Sequence, residues 1–355
     1  MSSNRKELVW DRLLSSKRER RSHGTIPDDH RSPFENDYQR IILSASLRRL
    51  QDKTQVFPLD QSDFVRTRLT HSLEVSAFAR SLGQRVCHIL VSMNHPLAPT
   101  ESQAAAICDI LLSAGLLHDI GNPPFGHYGE TTIRDYFRKA LPTLQFFGEP
   151  LNQVLTTRQI ADFLHFEGNA QALRLVSKLH FIVDEHGMNL TYGLLSTIIK
   201  YPVSSLEIDP DSGDIRKKKM GYFYSEESLF KDISETLGLA LPPVAGRPQA
   251  VRHPLTFLLE AADDIAYHTA DIEDAFRKDK ISYPKLREGL ETSPLVAQYS
   301  KTIQELYGKH IEKLNEFYAL ARKRRLPEPE LYAVQNFLIA TQGLLIRDLS
   351  SSFVE

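Results

Sequence analysis

The chain is poor in cysteine and tryptophan, with two cysteines, Cys87 and Cys108, and one tryptophan, Trp10, among 355 residues. Two distant thiols, both inside helical patterns, exclude a disulfide framework and a zinc–thiolate site, and they suit a reducing cytosol. An excess of charge of one sign is also lacking. A formal net charge of −2 gives no global electrostatic footprint for nucleic acid. The longest apolar run, Ala104 to Leu117, is too short to span a bilayer. The basic segment Met1–Arg21 has no apolar core of the kind a signal peptide needs. These absences predict a soluble cytoplasmic protein with no membrane partner. The phosphate-cradling GxxxxGK[ST] motif is missing as well, which excludes the usual kinase and ATPase machinery. Candidate strands are few, and there is no repeat and no low-complexity tract.

What the chain does have is helical periodicity. Apolar residues recur at helical spacing from Tyr38 to Leu50, a helix stopped by Val56-Phe57-Pro58. Further helices are expected over Thr67–Val91, His127–Leu141 and Leu255–Phe276, with two or three more between 157 and 200. Leu206–Glu226 reads as a polar excursion forming a small hairpin or flap, and Pro242–Pro254 reads as a loop. Residues 4–14 form a short amphipathic segment, followed by a solvated arm with Lys17, Arg18, Arg20 and Arg21. Leu331–Leu349 is amphipathic, and the chain stops at Glu355 without a Gly or Pro stop signal, as expected of a helix that continues further. The fold class is all-α. Its expected divisions are an arm at 1–36, a catalytic domain at 37–282 and a C-terminal helical region at 283–355.

The organising stretch is LLSAGLLHDIGNPPFGHYGE, residues 111–130. An apolar helix delivers His118 and Asp119 into the core, at a cost of several kcal/mol unless something pairs with them. A divalent metal is the usual partner. His71, early in the preceding helix, and an aspartate of the Asp263-Asp264 pair complete a shell of nitrogen and oxygen donors. Asp263 has the more apolar helix neighbours and is expected to point inward, with Tyr267 and Asp271 continuing its face. Such donors suit Mn²⁺, Mg²⁺, Fe²⁺, Co²⁺ or Ni²⁺ better than structural zinc. Beyond them, Asn122-Pro123 reads as the cap and first turn of a helix carrying His127, with Glu130 one turn on to orient it as an acid/base pair. Other histidines, including His88, His95, His180, His186 and His310, are expected on polar faces or in turns.

Seven ordered blocks go further: FENDYQRIILSASLRRLQDKTQVFP, TRLTHSLEV, LLHDIGNPPFGHYGE, FEGNAQALR, TIIKYP, KKKMGYFYSE and RHPLTFLLEAADDIAYHTADIEDAF. In these the chain resembles the deoxyguanosine triphosphate triphosphohydrolase family, a branch of the HD superfamily. The resemblance implies an all-helical HD-domain fold, often hexameric, that cleaves a dNTP to a deoxynucleoside and inorganic triphosphate. It implies His71, His118, Asp119 and Asp263 as metal ligands and His127 with Glu130 as the acid/base pair. By the same resemblance Arg48, Gln51 and Arg68 contact base, sugar or phosphates, and Lys200, Tyr267 and Asp271 contact triphosphate and deoxyribose. Glu167 and Asn169 match pocket residues. Members usually run longer than this chain. The rivals are another HD phosphohydrolase or phosphodiesterase, and an idle regulator that binds dNTP or nucleic acid. Single-stranded DNA binding through the basic arm or Lys217–Lys219 is an accompanying expectation.

Overall fold

The computed structural model describes residues 9–20, 29–60, 62–180, 184–294 and 301–355. Arg21 and the first eight residues, on which part of the arm expectation falls, lie outside them. The described chain is all-α apart from two small antiparallel hairpins. It opens with α1 (Trp10–Leu13), α2 (Pro33–Ile42) and α3 (Ala45–Arg48). Two long helices follow, α4 (Arg68–Ser92) and α5 (Glu101–Leu117). Both start at reciprocal caps, Thr67 with Thr70 and Thr100 with Gln103, which satisfy the first free N–H groups. Next come α6 (Gly126–Ala140), the hairpin β1 (Gln145–Phe146) and β2 (Glu149–Pro150), and the short helices α7 (Leu151–Val154), α8 (Thr157–Leu164), α9 (Gly168–Arg174) and α10 (Tyr192–Ile198). Beyond α11 (Glu227–Leu237) and the hairpin β3 (Ala240–Val244) and β4 (Arg247–Ala250) runs α12 (Pro254–Arg277). The chain closes with α13 (Tyr283–Glu291), α14 (Lys301–Lys323) and α15 (Pro329–Val354). None of the described helices is long and apolar enough to cross a membrane.

The apolar α5 lies at the centre, as its composition requires, with α4, α10 and α12 packed around it. Val75, Ala79 and Leu82 from α4 meet Ile107, Ile110, Leu111 and Ala114 from α5, and Leu258, Leu259 and Ala262 from α12 join the same core. A second cluster gathers Tyr283, Leu286, Leu314, Val334 and Phe337, while the far end of α15 returns to the main core through Leu345, Ile346 and Leu349. The crossing of α4 and α5 is unusually close. A Cβ added at Gly115 would lie 2.4 Å from Ser76 Cα and 2.6 Å from Ser76 N, beside the bond that Ser76 Oγ donates to Leu112 O at 2.6 Å. The obstacle is backbone and cannot rotate away. Gly115→Ala is therefore expected to lower stability by about 1–3 kcal/mol or more despite its better helix propensity. A drop in the urea midpoint at unchanged slope checks this.

Several expectations need correction. The segment Tyr38–Leu50 is not one helix. A Ser32–Glu35 capping box starts α2 earlier, at Pro33, and Ser44 accepts from Leu47 N at 3.1 Å to start α3 anew. The excursion 206–226 holds no strand. Short 3₁₀ turns occupy Pro210–Ser212, Ile215–Lys217 and Tyr224–Glu226, with Asp214 capping one of them and buried Met220 and Tyr222 anchoring the segment. The predicted loop at 242–254 instead contains most of the hairpin β3–β4. Its two-residue turn, Ala245-Gly246, has φ of 50° and 76°, the geometry that matches strand twist. The described part of the arm is folded against the body rather than solvated. Lys17 pairs with Asp232 at 2.7 Å, Arg20 with Asp184 at 2.8 Å, and Arg18 reaches Asp37 and the carbonyls of Pro33 and Asn189. His310 is buried, bonded to Thr341 Oγ1 at 2.8 Å and packed on Phe337. Asn122 caps no helix. Its amide donates to Asp119 Oδ1 at 2.6 Å, and α6 begins only after Phe125, which has a φ of 62°.

Candidate active site

His118 sits at the C-terminal end of α5, with its Nδ1 2.7 Å from Gly115 O. That bond fixes Nδ1 as the donor and leaves the Nε2 lone pair free. Nε2 is buried and has no hydrogen-bond partner. Around it stand Asp263 Oδ1 from α12 at 3.5 Å and Asp119 Oδ1 at 3.6 Å. His71 from α4 places its own Nε2 3.1 Å from Asp263 Oδ1, and the two imidazoles lie 5.3 Å apart at their centroids. Helices distant in sequence thus bring His71, His118 and Asp119 to one point, with ligand atoms all within 4.8 Å of one another, and Asp263 stands beside the two nearly inaccessible imidazoles. An unpaired buried imidazole nitrogen facing carboxylates is the arrangement a divalent cation satisfies, so these residues fit the metal that the sequence implies. Asp264 is exposed and lines the cavity over these groups without an ion pair to either imidazole.

The electrostatics agree with that fit. Burial pushes the His118 imidazole below its ordinary pKa, favouring the neutral ligand form. Burial alone would raise Asp263, but the bond from His71 and the Lys200 ammonium hold the carboxylate well below its usual range. Asp119 is likewise held down against burial by Arg68, whose guanidinium bonds its Oδ2. Lys200 Nζ lies 3.4 Å from Asp263 Oδ2. Burial would lower this ammonium, and the charges of Asp263 and Asp119 raise it instead.

Beside the quartet, the first turn of α6 presents His127. Its Nδ1 is 2.9 Å from Glu130 Oε2; the His127 side chain is 81% exposed and that of Glu130 only 1%. Glu130 Oε1 accepts from Gly168 N at 2.8 Å, so the start of α9 holds the carboxylate in place. The bond to Glu130 raises the His127 imidazole above its ordinary value. For Glu130, burial acts upward, but the bonds from His127 and Gly168 prevail and keep it ionised.

A cavity of about 650 Å³ opens over these groups, well within the range of nucleotide-sized sites. Of the residues singled out in the sequence, Arg68, His71, Asp119, His127, Asn169, Lys200, Asp263, Tyr267 and Asp271 line it. His118 and Glu130 are buried beside it. Glu167 is buried and accepts from Asn169 Nδ2 at 2.7 Å and Lys219 Nζ at 3.1 Å. Gln51 lines a neighbouring cavity, 3.5 Å from Thr67 Oγ1. Arg48 is exposed and bonds Leu43 O at 2.8 Å. Gln55 lines the main cavity, with its Oε1 buried and unpaired. Tyr201, not singled out in the sequence, lines it too, as do Lys218 and Lys219, which the sequence offered only as a single-stranded DNA contact. Their signals were adjacency to Lys200 and a lysine triplet that read as part of a polar excursion.

Residues 68–191 match the family described as HD domain, and the His118-Asp119 pair at the floor of the cavity lies within that span. The fold and site thus define an HD-domain protein. A deoxyguanosinetriphosphate triphosphohydrolase-like protein of Listeria monocytogenes is 46% identical over 351 residues, covering 98% of this chain and 71% of the relative. A like-named protein of Synechocystis is 40% identical over 323 residues, 86% of this chain and 70% of the relative. The deoxyguanosinetriphosphate triphosphohydrolase of Klebsiella pneumoniae is 33% identical over 360 residues, 91% of this chain and 67% of its own. The chain belongs to the deoxyguanosinetriphosphate triphosphohydrolase-like family.

Proposed function

We propose that the protein hydrolyses a deoxynucleoside triphosphate, dGTP first among them, to the deoxynucleoside and inorganic triphosphate, with a divalent metal at His71, His118, Asp119 and Asp263. The observation that carries this reading is the unpaired Nε2 of His118 among carboxylates, at the floor of a cavity walled by Arg68, Lys200, Lys218 and Lys219. A triphosphate carries about four negative charges near neutral pH and needs such a wall. Mn²⁺ or Mg²⁺ suits the donor set, and such an ion supplies Lewis-acid charge at the α-phosphate.

The chain's own residues do the rest. Arg68, Lys200, Lys219 and Asn169 bind the phosphates; Gln55, Tyr267 and Asp271 hold the sugar. Arg48 and Gln51 lie outside the cavity and receive no role within one chain. Water adds its oxygen to the α-phosphorus and releases a proton to solvent, the bond to the 5′-oxygen breaks, and His127 passes its Nε2 proton to that oxygen and takes one back from solvent before the next turnover. His127 is assigned the acid role because Glu130 favours its charged form. Turnover that needs the imidazolium is full below the raised His127 value and falls as pH rises through it. Glu130→Gln removes the main cause of the elevation and is expected to move that falling limb to lower pH. A rate that instead climbs with pH over the same interval makes His127 the base.

Incubating each dNTP with Mn²⁺ or Mg²⁺ and separating the products tests the reaction. Triphosphate with free deoxynucleoside is expected; pyrophosphate or monophosphate points to another HD hydrolase, and no product points to a regulator. Self-association belongs to the same proposal. Single-stranded DNA contact, where it accompanies catalysis, falls to Lys217 and Lys218 of the Lys217–Lys219 run, because Lys17, Arg18, Arg20 and Lys219 are engaged within the chain; affinity falling steeply with salt is its signature.

A further inference from the structure

The turn that carries Asp119 and the start of α9 that holds Glu130 meet backbone to backbone. A Cβ added at Gly121 would overlap Gly168 O and Ala172 N, so the approach needs a residue without a side chain. Across the contact, a Cβ added at Gly168 would overlap Asn122 Oδ1 and lie 2.9 Å from Glu130 Oε1. One bare Cα therefore has both the amide of Asn122 and the carboxylate of Glu130 packed against it.

Asn122 is fixed at this junction from several directions. Its Nδ2 donates to Asp119 Oδ1 at 2.6 Å. An amide can face a carboxylate only with its nitrogen, so its oxygen is the end turned to Gly168. Its backbone N–H closes a turn to Asp119 O at 3.1 Å, and its backbone carbonyl accepts from Lys53 Nζ at 2.6 Å. Asp119 Oδ1 is the oxygen that stands 3.6 Å from His118 Nε2, while Oδ2 is taken by Arg68. The bond from Asn122 thus sets which way the remaining lone pair of Oδ1 points, and a cation held beside His118 needs that lone pair.

We propose that Asn122 is a positioning residue for Asp119 and that Gly168 ties this positioning to that of Glu130, whose Oε1 accepts from Gly168 N at 2.8 Å. One junction then sets the metal-holding carboxylate and the His127–Glu130 dyad together. This rests on the reading of the site as a metal centre with an acid/base pair. Asn122 acts through Asp119, and Gly168 acts through Asn122 and Glu130.

Calorimetric titration of the full chain with Mn²⁺, beside melts of the metal-free protein and steady-state kinetics, tests it on Asn122→Ala, Gly168→Ala and the double variant. Asn122→Ala is expected to raise the Mn²⁺ dissociation constant by about 10–100-fold with little change in the metal-free melt. Its turnover should recover at saturating Mn²⁺, since Glu130 is undisturbed. In Gly168→Ala the new methyl drives the Asn122 side chain off Asp119 and presses on Glu130. The same rise in dissociation constant is expected there, with turnover that stays low at saturating Mn²⁺. In the double variant the side chain to be displaced is already gone, so Mn²⁺ should bind no more weakly than to Asn122→Ala alone. Losses of affinity that simply add unlink Gly168 from the metal-holding carboxylate and overturn the shared junction. Wild-type Mn²⁺ affinity in Asn122→Ala overturns the positioning role, whether or not Gly168→Ala folds. A wild-type chain that binds no Mn²⁺ removes the metal reading and the junction's role with it.

Discussion

His127→Ala is expected to lower turnover at saturating substrate by about 10²–10⁴-fold while leaving metal content and melting temperature nearly unchanged. The dissociation of these effects follows from where the side chain sits. With 81% of its side chain exposed to the cavity, His127 contributes little packing. Its removal takes one partner from Glu130, which keeps the bond from Gly168 N at 2.8 Å and the Arg134 guanidinium at 3.9 Å. None of the four metal-fitting side chains touches His127 among the contacts described. Because proton donation to the 5′-oxygen matters only as that bond breaks, the loss falls on kcat rather than on KM. Metal analysis, a thermal melt and steady-state kinetics on one preparation decide the matter. Loss of metal along with activity assigns His127 a different place, and undiminished kcat removes it from the chemistry.

The parts of this site that were readable in the sequence are those fixed by helix geometry. The apolar run of α5 ends at His118, so the pair that follows has nowhere to go but the core. The preference for Asp263 over Asp264 rested on helix neighbours, and Asp263 is the one that approaches His71 and His118. Where the chain leaves regular helix, periodicity no longer indicates direction. The segment from Arg49 to Thr67 begins as a 3₁₀ turn and is tied back by a bond from Arg68 N to Lys53 O at 2.9 Å. That path places Gln55 in the main cavity and Gln51 in the next one. Lys219 was hidden for a related reason. Three adjacent lysines look equivalent in sequence, and only the packing of neighbouring Met220 and Tyr222 sets Lys219 against Glu167. The cap misread at Asn122 has a geometric cause: its amide nitrogen donates to Asp119, and α6 begins only after Phe125, too far on for the Asn122 oxygen to accept from its first N–H groups.

Asp263→Ala is expected to abolish metal binding in the micromolar range, with affinity falling by about 100-fold or more, and turnover falling with it. Asp263 accepts from two groups, His71 Nε2 at 3.1 Å and Lys200 Nζ at 3.4 Å, and lies 3.5 Å from the unpaired His118 Nε2. Its removal leaves two imidazoles and one carboxylate around the cation, and it leaves a mostly buried ammonium without its nearest counter-charge. Metal-free stability should therefore fall too, as it does when one member of a buried pair is deleted. Added Mn²⁺ separates the two losses. A ligand that binds only the folded state raises the melting temperature in proportion to its affinity, so the wild type should respond and Asp263→Ala should not. Asp264→Ala is the control on the same helix turn: lining the cavity but pairing with neither imidazole, it should keep the Mn²⁺ response. If that control loses its Mn²⁺ response while Asp263→Ala retains one, α12 faces the cation with the other carboxylate, and the bonds of His71 and Lys200 to Asp263 are ion pairs of the folded chain and nothing more.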